Sequence, residues 1–114
     1  MLSLSGIYLQ LEDAVAAEGA AVEALTVLSR TLGESHFITA IAHCRLARAL
    51  VLQGRNGEAA PHFESTLEPL VATHQQPEYR FECLTAAAKF YKALGDQRQV
   101  DEIEAALAST DLQP

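Results

Sequence analysis

The chain of 114 residues contains no tryptophan, and its phenylalanines and tyrosines together make up only 6% of it. Sheet cores draw on aromatic and β-branched side chains, so this shortage argues against a β-sandwich and favours helices packed through Ala and Leu. No apolar run approaches the ~18 residues that a membrane-spanning helix requires. With 49% apolar residues, the chain has enough material for the core of one domain.

Basic residues are also scarce, because 8 Lys and Arg oppose 15 Asp and Glu, which gives a net charge of −7. Nucleic-acid binding depends on cationic contacts to phosphates, so we expect no nucleic-acid partner. The first ten residues contain no basic residue and do not resemble a secretory signal. We therefore expect a cytoplasmic protein that has no membrane partner.

Only two cysteines are present, Cys44 and Cys83, and they lie in different predicted helices without the C-x-x-C spacing of a metal or redox site. Two cysteines in a chain with this much apolar material do not indicate a disulfide scaffold. We expect two free structural thiols.

Motifs that carry chemistry are absent as well. The sequence contains no G-x-S-x-G, no P-loop and no nucleotide fingerprint. The four histidines, His36, His43, His62 and His74, form no H-x-x-x-H pair or other closely spaced ligand set. We expect no metal, no cofactor and no enzymatic activity.

The chain does contain one pattern that it uses twice. Leu46-Ala47-x-x-Leu50-x-x-x-Gly54 returns 41 residues later as Ala87-Ala88-x-x-Tyr91-x-x-x-Gly95. Five residues after each glycine, a second apolar-periodic segment opens at Ala59 or Val100. This pattern predicts a repeating pair of helices, and such pairs bury their apolar faces only by stacking on one another. Function in stacked repeats lies on the shared surface, so we expect binding rather than catalysis.

Apolar periodicity and capping signals predict six helices, arranged as an all-α fold of three stacked antiparallel pairs. The pairs cover residues 2–32, 35–73 and 77–109 of one domain, 1–109, and we expect a frayed tail at 110–114. Ser35 and Asn56 are the predicted N-caps of the third and fourth helices. Pro77 and Asp96 open the fifth and sixth helices, and Pro69 should kink or shorten the fourth.

Several positions combine helical periodicity with the packing places of the repeat. We expect burial at Leu46, Ala47, Leu50, Ala59, Phe63, Leu67 and Tyr91. Gly54 and Gly95 should adopt the left-handed conformation at the turns within the second and third pairs, because only Gly does so without strain.

The run Gly33-Glu34-Ser35-His36, followed by Leu46-Ala47-x-x-Leu50, Gly54 and Glu58-Ala59-Ala60-Pro61-x-Phe63, resembles the tetratricopeptide repeat. The likeness is to the longer kinesin-light-chain variety, whose repeat is about 42 residues. It implies a right-handed solenoid that binds proteins, with the first helix of each pair lining a concave groove. The first repeat is the weakest match, with Leu4-Ser5 and Tyr8 at its packing places, and the third carries Glu104 where a large apolar residue is usual.

Charges sorted by helix suggest where a partner binds. Arg45, Arg48, Lys89 and Lys92 fall on first helices, whereas the second helices are mostly acidic. Arg48 and Lys89 hold equivalent places before their glycines. A basic inner face of this kind would bind a peptide carboxylate or an acidic segment through charge-assisted hydrogen bonds. Alternatively, these cations form ion pairs and cover Ala-rich surface.

The first helix is almost uncharged, and its apolar residues, Leu2, Leu4, Ile7, Tyr8, Leu9 and Leu11, cover more than one side. This surface continues a longer array, packs on a second copy of the chain as a homodimer, or binds the partner. The function that we expect is a scaffold or adaptor that holds a peptide or helix of a partner protein. The alternative is a structural or regulatory self-association segment of a larger protein such as a kinase, a transcriptional regulator or a secretion component.

Overall fold

A computed structural model describes residues 2–11 and 13–111 of the chain. These residues form α1 (Leu2–Gln10), α2 (Ala14–Thr31), α3 (Phe37–Leu52), α4 (Asn56–Ala72), α5 (Pro77–Leu94) and α6 (Gln97–Asp111). No strand occurs in this described part, which confirms the predicted all-α fold. Of the tail predicted to be frayed, residues 110 and 111 belong to α6, and residues 112–114 lie outside the described residues.

Each helix packs against the next to give three stacked pairs, α1 with α2, α3 with α4 and α5 with α6. The first helices of the pairs are also neighbours, because α3 contacts both α1 and α5. We refer to α1, α3 and α5 as the first-helix layer, in which α3 lies in the middle.

The turns within the second and third pairs have the same geometry. Gly54 and Gly95 have φ angles of +74° and +80°, as the sequence predicts. The next amide in each turn, that of Arg55 or Asp96, donates to the carbonyl five residues earlier at 2.9 Å. This bond satisfies a carbonyl at the end of the first helix and fixes the direction in which the second helix begins.

Two predicted N-caps are wrong. His36, not Ser35, caps α3, because residues 33–36 form a turn and the His36 Nδ1 atom accepts from the Ile38 amide at 3.1 Å. Asn56 is the first residue of α4 rather than its cap, and Arg55 stands at the cap position without a capping side-chain bond. Instead, the Arg55 guanidinium makes ion pairs with side chains of α2 and α4, and these pairs hold the start of α4. The fourth helix continues through its two prolines to Ala72.

The core contains Leu46, Ala47, Leu50, Ala59, Phe63 and Tyr91, all of which are at most 5% exposed. Leu67 is only partly buried, contrary to prediction, because the buried stripe of α4 runs from Phe63 through Thr66 to Leu70. Among residues 97–108 of α6, Val100 and Ile103 are buried, and Glu104 is exposed.

The first helix of the first repeat has a burial pattern one residue later than predicted, whereas Ala17, Ala21 and Ala24 of α2 are buried. Among residues 4–10 of α1, Ser5 and Leu9 are buried, whereas Leu4 is 49% exposed and Tyr8 is partly buried. With this register, the buried positions of the first-helix layer repeat every 41 residues, as Ser5, Leu46 and Ala87, and as Leu9, Leu50 and Tyr91. The three first helices are therefore equivalent at these two sets of buried positions.

The two cysteines are not free thiols, since Cys44 of α3 and Cys83 of α5 form a disulfide with their Cα atoms 5.8 Å apart. We expected free thiols because the cysteines lack a close spacing in the sequence and because the chain has enough apolar residues to fold without a disulfide. Stacking places α3 beside α5, which brings residues almost one repeat apart within the Cα separation that a disulfide requires.

Candidate protein-binding face

The register of the first-helix layer shows which residues share its solvent-exposed side. The residues two, five and six places after the buried Ser5 lie on the opposite side of the helix from it. Residues at equivalent places, 41 and 82 positions later in the sequence, lie on the same side of α3 and α5. Together they are Ile7 and Gln10 in α1 with Leu11 directly after it, Arg48, Val51 and Leu52 in α3, and Lys89, Lys92 and Ala93 in α5. Arg48 is partly exposed and the other eight are exposed. We call these nine residues the first-helix face, and it contains three of the four cations proposed to bind a partner.

The fourth cation, Arg45, is only 3% exposed and lies inside the layer. Its Nε atom is 3.0 Å from Oε2 of Glu82, its Nη1 atom donates to Ser5 Oγ at 3.4 Å, and its guanidinium lies over the Tyr79 ring. Gly6 packs so closely against this group that a methyl at that position would collide with Nη1. Arg45 therefore ties α1, α3 and α5 together.

Arg48 is 30% exposed and forms an ion pair with the same Glu82 carboxylate. Two of the four predicted cations thus have an internal counter-ion. Glu82 was missed from the sequence because it lies on another helix, and no local spacing links it to either arginine. Only the stacking of α5 on α3 brings the three side chains together.

Lys89 and Lys92 are both exposed, and neither forms an ion pair with a residue that the structure describes. They lie three residues apart, so their side chains project from the same side of α5. These two lysines are the most accessible of the predicted cations.

A second polar cluster lies between α3 and α4. Nδ1 of His43 is 2.9 Å from Nδ1 of His62, and Nε2 of His43 is 3.2 Å from Oε2 of Glu34. Burial lowers the pKa of His62, and the nearby His43 lowers it further. His43 is buried, and its pairing with His62 was not predicted.

An open cleft of about 620 Å³ lies between the start of α3 and the end of α4. Its lining includes Glu34, Glu64 and Glu68, and none of the four predicted cations contributes to it. The cleft is therefore separate from the proposed basic site.

Tyr91 is buried beneath the first-helix face rather than displayed on it. Burial, with a smaller contribution from the carboxylates of Glu64 and Asp96, raises the pKa of its hydroxyl to about 12. The ring packs edge-on against Phe90 with centroids 5.4 Å apart, and it contributes to the core.

None of the described helices has a stretch long and apolar enough to cross a membrane.

Three stacked helix pairs, of which the second and third share one turn geometry, with buried positions that recur in the three first helices, define a helical-repeat protein. A family model described as tetratricopeptide repeat matches residues 1–68, which is more than half of the chain and covers the first pair and most of the second. The chain belongs to the tetratricopeptide repeat family. This membership indicates a protein–protein interaction module. No curated protein and no solved structure shows a significant match to the chain.

Proposed function

We propose that this chain is a non-catalytic scaffold or adaptor whose first-helix face binds a peptide or helix of a partner protein through carboxylates. The observation that carries the proposal is the pair of exposed lysines, Lys89 and Lys92, on a chain with a net charge of −7. Arg48 lies at the equivalent place on α3 and adds a partly exposed cation. Arg45 supports the face from below, because it is too deeply buried to reach a partner directly.

We further propose that residues 1–109 act as one repeat domain of the kinesin-light-chain-like variety. The step of 41 residues between equivalent buried positions supports this proposal. A cytoplasmic location is a separate proposal. The state of Cys44 and Cys83 in cells tests it, because disulfides persist mainly in oxidising compartments. An intact disulfide in protein isolated from cells would oppose a cytoplasmic location, and reduced thiols would support it.

The direct test measures binding of a fluorescent oligoglutamate peptide with a free C-terminus. The Lys89→Glu/Lys92→Glu variant should bind at least about tenfold more weakly, since it replaces two attractive contacts with two repulsive ones. Binding to the native chain should also weaken as salt shortens the Debye length from about 30 Å to about 8 Å. Reversal of Arg48 is a less clean test, because it would place a second carboxylate beside Glu82.

Arg98→Glu is the matched control, because Arg98 is 89% exposed and lies on α6, outside the first-helix layer. It changes the net charge in the same direction without touching the face. The variants Lys89→Glu and Lys92→Glu, made singly, are compared with Arg98→Glu. If all three weaken peptide binding equally, the effect is one of net charge, and a binding site on α5 is refuted.

The alternative function, self-association, has its own supporting observation. Leu4 and Ile7 of the first helix, and Leu11 directly after it, are 49%, 51% and 71% exposed. If they pack on a second copy, the native chain has twice its mass of 12.3 kDa in solution, and Leu4→Ser/Ile7→Ser restores the monomer. Deleting the first helix would be a poorer test, because Leu9 is part of the core.

A further inference from the structure

The first-helix face changes in character from one helix to the next. On α1 and the turn after it, the face presents Ile7 and Leu11, 51% and 71% exposed, together with the uncharged Gln10. On α5 it presents Lys89 and Lys92, with only the small Ala93 beside them. One edge of the face is therefore apolar, and the opposite edge is cationic.

The middle helix extends the apolar edge. Val51 and Leu52 of α3 are 37% and 49% exposed, and they occupy the repeat positions equivalent to Gln10 and Leu11. The charge of Arg48 is balanced by Glu82. Among the described residues of the face, the cations that form no ion pair therefore lie on α5. Apolar surface thus covers α1 and part of α3, and it ends where the lysines begin.

The width of the face sets the spacing that a ligand must match. Axes of packed helices lie about 8–10 Å apart, so α1 and α5, with α3 between them, are separated by about 16–20 Å. An extended peptide advances about 3.3 Å per residue, so about five or six residues cross the layer.

This distribution favours a ligand with two kinds of side chain in separate blocks. A wholly acidic segment would leave Leu11 and Leu52 in water, and a wholly apolar segment would make no ion pair with the lysines. Exposed apolar surface beside charged groups is typical of interaction sites, and carboxylates form charge-assisted hydrogen bonds with ammonium groups.

We infer that the partner segment carries apolar side chains at one end and carboxylates about five or six residues away at the other. Its apolar block contacts Leu11 and Leu52, and its acidic block contacts Lys89 and Lys92. This inference rests on the proposed function, which requires only an acidic partner. The order and separation of the two blocks are the new claim.

The test uses four fluorescent synthetic peptides of equal length. Two contain a leucine block and a glutamate block separated by serines, in the two possible orders; the third alternates the same residues, and the fourth replaces every leucine with serine. One blocked peptide should bind at least about tenfold more tightly than the alternating and leucine-free peptides. The preferred order gives the direction of the bound segment.

Leu11→Ser/Leu52→Ser should lower the affinity for the preferred blocked peptide to that for the leucine-free peptide, and should leave binding of the latter unchanged. The matched control is Val22→Ser/Val71→Ser, whose side chains are 45% and 41% exposed but belong to α2 and α4. Helical circular dichroism and melting temperature verify that both variants remain folded.

The outcomes separate the inference from the proposed function. If all glutamate peptides bind equally well and depend on Lys89 and Lys92, the proposed function stands and the inference is wrong. An unchanged affinity of the blocked peptide for Leu11→Ser/Leu52→Ser also overturns the inference. If no glutamate peptide binds in a lysine-dependent way, the proposed function fails, and the inference fails with it.

Discussion

Cys44 of α3 and Cys83 of α5 form a disulfide directly beside the ion pair between Arg45 and Glu82. Each cysteine is adjacent in sequence to one partner of that pair, and both are fully buried. A covalent bond and an ionic contact therefore hold the same two helices together beneath the first-helix face.

We expect reduction of this disulfide to destabilise the protein. The bond closes a loop of 39 residues, for which the chain-entropy relation gives about 4 kcal/mol as an upper value. The urea midpoint of the native chain should fall in dithiothreitol, whereas the midpoint of Cys44→Ala/Cys83→Ala should not respond to it. Intact mass after alkylation in denaturing urea without reductant should show no modified cysteine, and two alkylated cysteines in protein isolated from cells would contradict the disulfide and support a cytoplasmic location.

Phe63→Ala should lower the free energy of unfolding by about 3–5 kcal/mol. The ring is 1% exposed and packs on Phe90 with centroids 4.6 Å apart, so its removal leaves a cavity between α4 and α5. Phe81→Ala is the control, because Phe81 is 57% exposed and its loss should change stability by less than about 0.5 kcal/mol. Similar urea midpoints for the two variants would refute the observed packing.

Two glycine substitutions should change stability in opposite directions. At Gly54, with a φ of +74°, Gly54→Ala should destabilise the protein by about 1 kcal/mol or more, because a side chain disfavours this conformation. Gly19 lies within α2, where an added Cβ meets no atom within 4 Å, so Gly19→Ala should stabilise by about 0.5–1 kcal/mol. Thermal unfolding of both variants measures the signs, and a stabilising Gly54→Ala would contradict the turn geometry.

Stability should decrease as the pH falls below 6.5, the ordinary pKa of histidine. The pKa of His62 is lowered in the folded state, so the unfolded chain binds more protons between the lowered value and 6.5. The two rings face each other through their Nδ1 atoms, so only one of these atoms can carry a hydrogen without placing two N–H groups against each other. Glu34 contacts Nε2 of His43, on the other side of that ring, and does not relieve this conflict. Urea midpoints measured across this range should fall less steeply for His62→Gln, and parallel curves would contradict the lowered pKa.

The sequence determined the helix pairs because the relevant signals are short-range. The turn at Gly54 requires a residue that tolerates positive φ, and the apolar periodicity on either side specifies helices. Proline at the first helical position predicted the start of α5 at Pro77, as observed. The Ser35 cap was wrong because serine and histidine both offer an acceptor there, and the turn that precedes α3 decides which one is in place.

Tertiary structure decided which side chains meet across helices. Glu82 meets Arg45, and Cys44 meets Cys83, only because α5 stacks on α3 at one particular rotation and height. The register of the first helix was also settled by packing, since several of its sides are apolar and periodicity alone does not choose among them. A helix period specifies which residues of one segment share a side, but the pairing of two sides depends on the combined shape of all the helices that pack together.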